Sequence, residues 1–319
     1  MKEYTMKYKF TIKQNVFYYF SFLGNMFHIF RTIPKRKFGI SVMIRVKNEE
    51  DFIALSLKSL NGFADEVVII DNGSTDNTYK EIEEVKNQLD YKLIIKYNES
   101  NDICKISNEA LSLTSYKWIF RWDGDFIAHT SGERDIGKLR EYLFSLNQNN
   151  FYLIYPLTIS FAGDLFHVQK NKELHSENYI HTYHTSLKYV KRGKFEVLKV
   201  PLFYKIKRVN TIHFVHVGTA KSLERLIYRF FWLHWLRENN EGKYSSIDTF
   251  IKKELKEKWN SRDIDSVAKG IFKDEIISEL RKYKIEEFGE YPQFMLPLLK
   301  NSPYKIIYRN SKPFTRNDL

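Results

Sequence analysis

Between residues 40 and 122, four short apolar runs alternate with stretches of helical spacing, and this alternation leaves few folds open. Residues 40–46 are β-branched and apolar, and residues 66–71, with Val67-Val68-Ile69-Ile70 at their centre, residues 92–97 and residues 118–122 read as further strands. Residues 49–60 have helical spacing at Phe52, Leu55, Leu57 and Leu60, and residues 79–89 and 105–113 read as helices. Strands that alternate with helices pair in parallel, because the crossover returns the chain to the same end of the sheet. The expected class is α/β, with a mostly parallel sheet flanked by helices. Ligands on such sheets sit beyond the carboxyl ends of the strands. Asp71 ends the second run and Asp123 the fourth, so two acids distant in sequence are expected on one rim. The turn Asn72-Gly73-Ser74-Thr75-Asp76 offers N-cap residues, and the following helix is expected to present a positive dipole suited to a phosphate.

Asp123-Gly124-Asp125 closes the last of these runs. Read alone, it is a strand-end turn with solvated acids. Read with Asp71 and the opening strand, it is a cation site. Mg²⁺ or Mn²⁺ held by one or two carboxylates completes its coordination with water and phosphate oxygens. A divalent metal bridging a diphosphate is therefore expected, and with it a nucleotide-activated substrate.

With 43% apolar and 16% aromatic residues, the 319-residue chain can bury a sizeable core. Its formal charge of +12 favours anionic partners, but the cations are dispersed and nucleic acid is not expected. Cys104 is the single cysteine, so no intramolecular disulfide can form. The apolar stretch at residues 16–30 is short for a spanning helix of ~20 residues. The basic cluster Arg31, Lys35, Arg36, Lys37 follows it. Residues 1–38 thus read as an arm that rests on an anionic membrane surface, or packs on the protein or a partner. The expected location is cytoplasmic, at most peripheral on the inner membrane face. Past Asp125, residues 134–146 read as a helix and residues 151–161, 180–190 and 195–200 as strands. From residue 219 the chain reads as mostly helical, with an aromatic stripe at Tyr228, Phe230, Phe231, Trp232 and Trp235.

Three segments in order resemble glycosyltransferase family 2. Residues 41–49 (SVMIRVKNE) resemble its first strand and Asn-Glu turn, residues 68–78 (VIIDNGSTDNT) its nucleotide-binding segment, and residues 118–125 its Asp-x-Asp strand. The resemblance covers residues 39–128 and implies a GT-A fold, inversion at the anomeric carbon and a metal-dependent sugar transfer. It divides the chain into the arm, a catalytic domain at residues 39–217 and a helical C-terminal region at residues 218–319 on the acceptor side. It implies that Asp71 contacts the nucleobase, Asp123 the ribose or the metal, and Asp125 the metal. The backbone near Arg45 and Asn48 would line the nucleotide pocket. Many relatives carry Asp where this chain has Asn72, and Arg-Asn where it has Ser107-Asn108. Lys105 is the cation nearest to supply the missing charge.

An inverting displacement also needs a base within hydrogen-bond reach of the acceptor hydroxyl. The resemblance implies an acid after the Asp-x-Asp segment; Glu177 is the first candidate, with Asp164 and Glu173 as rivals. His213 and His216 face opposite ways on a strand. His216 fits the extra metal or phosphate ligand of some GT-A enzymes, or a hydrogen-bonded structural histidine. The expected partners are a nucleoside-diphosphate sugar and a glycan or lipid-linked acceptor of cell-surface polysaccharide synthesis. Oligomeric state is not readable. A nucleotidyltransferase would need a glycine-rich basic loop where this chain has Lys47-Asn48-Glu49-Glu50. A non-catalytic glycan- or membrane-binding protein that kept the fold is the other alternative.

Overall fold

The computed structural model describes residues 34–100, 102–192, 195–238, 243–244, 246–260 and 263–319. Residues 1–33, most of the expected arm, lie outside the described residues. The chain forms two compact units. The first runs to Ile159 and takes in Leu174–His216 and Glu290–Leu296; the second consists of Ser160–Glu173, Val217–Gly289 and Pro297–Leu319. Both units are therefore discontinuous in sequence.

The first unit opens with β1 (Lys37–Val46), α1 (Ile53–Lys58), β2 (Glu66–Asp71), α2 (Thr78–Val85), β3 (Lys92–Tyr97), α3 (Ile103–Leu113) and β4 (Tyr116–Asp123). β1 lies between β2 and β4, and β3 lies outside β2, all parallel. Alternate residues of these strands feed two cores. Val42, Ile44, Val67, Ile69, Phe120 and Trp122 pack with α1 and α2. Met43, Val68, Ile70 and Ile119 pack with Cys104, Ile106, Ala110 and Leu111 of α3. Burial on both faces explains why the runs are continuously apolar. α3 starts where Asp102 accepts from the amides of Cys104 and Lys105 at 2.9 and 3.2 Å.

The rest of the first unit departs from the mostly parallel expectation. It holds β5 (Phe126–Ala128), α4 (Ile136–Ser145), most of β6 (Tyr152–Ala162), β8 (Leu174–Ser176), β9 (Ile180–Thr182), the hairpin β10 (Lys188–Arg192) and β11 (Phe195–Lys199), and β12 (Lys205–His216). β9 runs antiparallel to both β4 and β6, and β12 antiparallel to β5. The sheet is thus parallel in its first half and antiparallel beyond β4.

The second unit joins β7 (Asp164–Gln169) to the end of β6 and to β13 (Leu280–Lys282). Its α-helices are α5 (Leu223–Glu238), α6 (Ile247–Trp259), α7 (Ile264–Ile271), α8 (Ile285–Phe288) and most of α9 (Leu296–Lys300), and a hairpin of β14 (Ile306–Arg309) and β15 (Lys312–Arg316) closes it. Phe231 and Trp235 of the aromatic stripe are buried against Phe250 and Leu255 of α6; the side chain of Tyr228 is outside the described residues. No helix among the described residues is long and apolar enough to cross a membrane.

Candidate functional site

The carboxyl ends of β1, β2 and β4 are level. Val46 lies opposite Asp71, and Arg45 opposite Asp123. The two acids therefore share a rim, on either side of β1. Side chains alternate along a strand, so Asp123 leaves the sheet on the face of Arg45 and Asp71 on the face of Val46. The rim is stitched by the loops after β1 and β2. Asn48 adopts φ 57° and accepts the amide of Thr75 at 2.8 Å through its side chain, while its own amide donates to Ser74 Oγ at 3.0 Å. Lys47 Nζ donates to the carbonyl of Asn72 at 3.0 Å. Asp71 is buried; its Oδ1 accepts from the Ser74 amide at 2.8 Å, and Oδ2 has no partner among the described residues.

The helix dipole expected to face a phosphate is already in use. Glu50 Oε2 accepts from the Asn77 amide at 2.9 Å, and Asp76 Oδ1 from the Thr78 amide at 2.9 Å. The first amides of α2 thus serve the protein's own carboxylates, and Asn77 at the N-cap makes no side-chain cap.

Past β4, Gly124 packs on the end of β1; a Cβ there would lie 3.0 Å from Val46 Cγ1. Asp125, the next residue, is almost wholly buried. Phe126 pairs with His216 across β5 and β12, which brings Asp125 Oδ2 to 3.2 Å from His216 Nε2. An oxygen and a nitrogen donor converging in this way suit a divalent transition ion. Among the described residues, no three His, Cys, Asp or Glu side chains gather closely enough to hold a metal alone. Asp125 and His216 could serve as two protein ligands, with Asp123 two residues before Asp125. His213, on the opposite face of β12, points its Nδ1 at the carbonyls of Arg134 and Asp135, both at 3.0 Å.

On the α3 face, ionic side chains of alternating sign surround Asp123. Arg121 NH2 donates to Glu177 Oε2 at 2.8 Å, and its guanidinium lies over the Tyr179 ring. Burial disfavours the Arg121 charge, but Asp123 and Glu177 outweigh it and raise its pKa above the ordinary arginine value. Arg45 NH1 donates to Ser107 Oγ at 2.6 Å and to Glu196 Oε2 at 2.5 Å. Asn108 exchanges two hydrogen bonds with the backbone of Tyr189, both at 2.8 Å, and so fastens the β10–β11 hairpin to α3. Lys105 is exposed on α3; the cation that reaches Ser107 is Arg45. His175, its ring 5.8 Å from that of His216, has its pKa pushed down to about 4 by burial and then by His216.

The three candidate bases have different surroundings. Glu177 is in the first unit, half-exposed and tied to Arg121 through one oxygen. Asp164 and Glu173 are in the second. Asp164 Oδ1 accepts from the Phe166 amide at 2.8 Å and lies 2.6 Å from His167 Nδ1, and Oδ2 accepts from the Ile306 amide at 2.8 Å. Glu173 binds Arg281 at 2.5 Å. Both have the surroundings of structural acids. Arg121, Glu196, Tyr179 and Tyr189 were not anticipated. The one available signal was Arg121 itself, a cation inside the otherwise apolar run Trp118–Trp122.

The family model described as "Glycosyl transferase family 2" matches residues 41–197, which include the rim acids, Arg45, Glu177 and Glu196. An uncharacterized glycosyltransferase of Rickettsia typhi is 31% identical over 127 residues, covering 39% of this chain and 40% of that protein. An uncharacterized protein of Methanocaldococcus jannaschii is 38% identical over 84 residues, or 25% of this chain and 37% of that protein. The chain thus spans about two fifths of the length of these curated relatives. Among solved structures, S. aureus TarS 1-349 overlaps 86% of this chain and 98% of its own, at 12% identity and a TM-score of 0.38. Residues 41–197 thus form a glycosyl transferase family 2 domain, built on an α/β fold.

Proposed function

We propose that this protein is a metal-dependent, inverting glycosyltransferase that moves a sugar from a nucleoside-diphosphate sugar to a glycan or lipid-linked acceptor in cell-surface polysaccharide synthesis. The observation that carries the reading is the level rim of Asp71 and Asp123, continued by the buried Asp125–His216 pair, with the three acids inside the family match and His216 beyond its end. The open oxygen of Asp71 accepts an N–H or O–H of the nucleoside. Asp125 and His216, with Asp123, are the residues that would hold Mn²⁺ or Mg²⁺. When bound, the ion supplies Lewis-acid neutralisation of the leaving diphosphate. Glu177 keeps one carboxylate oxygen clear of Arg121 and is the side chain best disposed to take the acceptor proton. Residues 1–38 and the basic charge of the chain suit work at the inner face of a membrane. The nucleotidyltransferase alternative gains no support, because the backbone and side chains of Lys47, Asn48, Glu49 and Glu50 are occupied in stitching the rim.

A thermal-shift panel of nucleoside diphosphates, with and without Mn²⁺, tests the reading, because a ligand that binds only the folded state raises its apparent stability. One nucleotide should stand out only with metal, and Asp125→Ala should remove that gain. A flat panel overturns the proposal.

A further inference from the structure

Five arginines in the described residues make printed ion pairs with carboxylates, and they do so in two ways. Arg140 grips Asp65 with two nitrogens at 2.8 and 2.9 Å, Arg281 grips Glu287 at 2.7 and 2.8 Å, and Arg316 grips Asp318 at 2.5 and 2.6 Å. These are the fork-to-fork pairs expected where an arginine clamps a fold. Arg45 and Arg121 each meet a carboxylate through a single nitrogen. Both flank Asp123: Arg45 is its partner across the strands, and Arg121 is two residues before it.

Arg45 is the more telling of the two. Its NH1 is anchored twice, on Ser107 and Glu196, in a setting where the side chains are only 15% and 8% exposed. Its Nε and NH2 have no partner among the described residues. The second oxygen of Glu196 is buried and also without a hydrogen-bond partner there. A buried pair arranged for stability alone would close the fork, since an incompletely satisfied buried charge is costly. The anchor itself is rigid, because Asn108 and Tyr189 hold the hairpin that carries Glu196 against α3. The result is a guanidinium fixed at one nitrogen, with its bidentate edge unspent, beside the acid at the end of β4. Such an edge matches two oxygens of a phosphate.

We propose that Arg45 is a binding residue for the diphosphate of the nucleotide-sugar donor, and that Glu196 is the residue that positions it. The assignment rests on the donor site proposed above. Arg45 supplies two charge-assisted donors to oxygens that gain charge as the sugar leaves. Glu196 fixes the direction of the fork by holding NH1, and its own carboxylate does not touch the ligand.

Calorimetric titration of the full chain with a nucleoside diphosphate, the matching nucleoside and inorganic pyrophosphate tests this. Arg45→Ala should weaken the diphosphate about 10- to 100-fold, the range for losing hydrogen bonds to a charged group. It should leave nucleoside affinity within about 3-fold. Glu196→Gln keeps the shape but loses the charge, and should weaken the diphosphate about 3- to 10-fold, again within the range of such hydrogen bonds. In an Arg45→Ala background it should add nothing. Should Arg45→Ala fail to fold, Arg45→Lys takes its place, since an ammonium cannot offer the same fork. If nucleoside and diphosphate weaken together, or neither changes, the assignment is overturned while the donor site stands. Wild-type protein that ignores every nucleoside diphosphate overturns both.

Discussion

Single side chains carry more of this protein's behaviour than their neighbours suggest, and buried histidines are the clearest case. His181 on β9 is fully buried, and neither ring nitrogen has a partner among the described residues. Burial, then the charges of Arg121 and Arg36, push its pKa down to about 3. His129 is pushed down to about 3 by burial, then by Arg134 and His213. An unfolded histidine takes up its proton near pH 6.5, while these two stay neutral in the fold. Stability from their neutrality is complete above pH 6.5 and falls as pH drops from there towards 3. Each such group contributes up to about 1.4 kcal/mol per pH unit to that slope. His181→Leu should therefore flatten the acid limb and, by removing an unsatisfied buried polar group, raise stability at pH 5 more than at pH 7. Urea denaturation at the two pH values checks it; an unchanged difference between them refutes it.

Among the elements, β1 is central, and a buried carboxylate ties its neighbours together at the end away from the rim. Glu66, at the start of β2, is fully buried and accepts from Ser41 Oγ at 2.8 Å, the Ser115 amide at 2.8 Å and Ser115 Oγ at 2.9 Å. Lys92 also lies 3.7 Å from it, but the lysine side chain is 63% exposed. The two partners should be far from equal. Glu66→Ala removes the buried acceptor shared by Ser41 Oγ, the Ser115 amide and Ser115 Oγ, and should cost about 3 kcal/mol. Lys92→Ala removes only a solvent-screened partner and should cost less than about 0.5 kcal/mol. Chemical unfolding of both variants decides it, and equal losses contradict the account.

At the scale of the whole molecule, two discontinuous units should not share one unfolding event by necessity, and a single midpoint is well defined only for one cooperative unit. The second unit closes on Arg316. Its guanidinium is almost wholly buried, donates to the carbonyls of Gly163 and Lys221 at 2.8 Å each, and lies over the rings of Phe272 and Tyr304. The planar group joins segments far apart in the chain, so Arg316→Lys should not replace it. Arg316→Ala should destabilise the second unit by about 3–5 kcal/mol, the cost of leaving buried partners unpaired. Calorimetry should show the loss in one transition, with the nucleotide-linked transition of the first unit in place. Loss of both together would mean that the units unfold as one.

Local pattern accounts for what could be read in advance. β2 has the bounds that its apolar run predicts, because a strand buried on both faces admits few polar residues, and β3, a half-buried edge strand, keeps its predicted bounds through the apolar centre Leu93-Ile94-Ile95. The stretch 180–190 reads as one strand but holds two, β9 and β10, since the turn between them is specified by partners elsewhere. β12 was legible only at its histidines, because Lys205–Asn210 is too polar to stand out. The short helix α1 covers half of the stretch with helical spacing. The chain alone determined the alternation of strand and helix, the rim acids and the family, because these follow from the chemistry of neighbouring residues. Tertiary structure decided that Asp125 meets His216, that Arg45 is held by Glu196, and that both units are built from separated segments. Those pairings join residues through folded space, and hydrophobic periodicity along a chain carries no record of which distant segment will cover it.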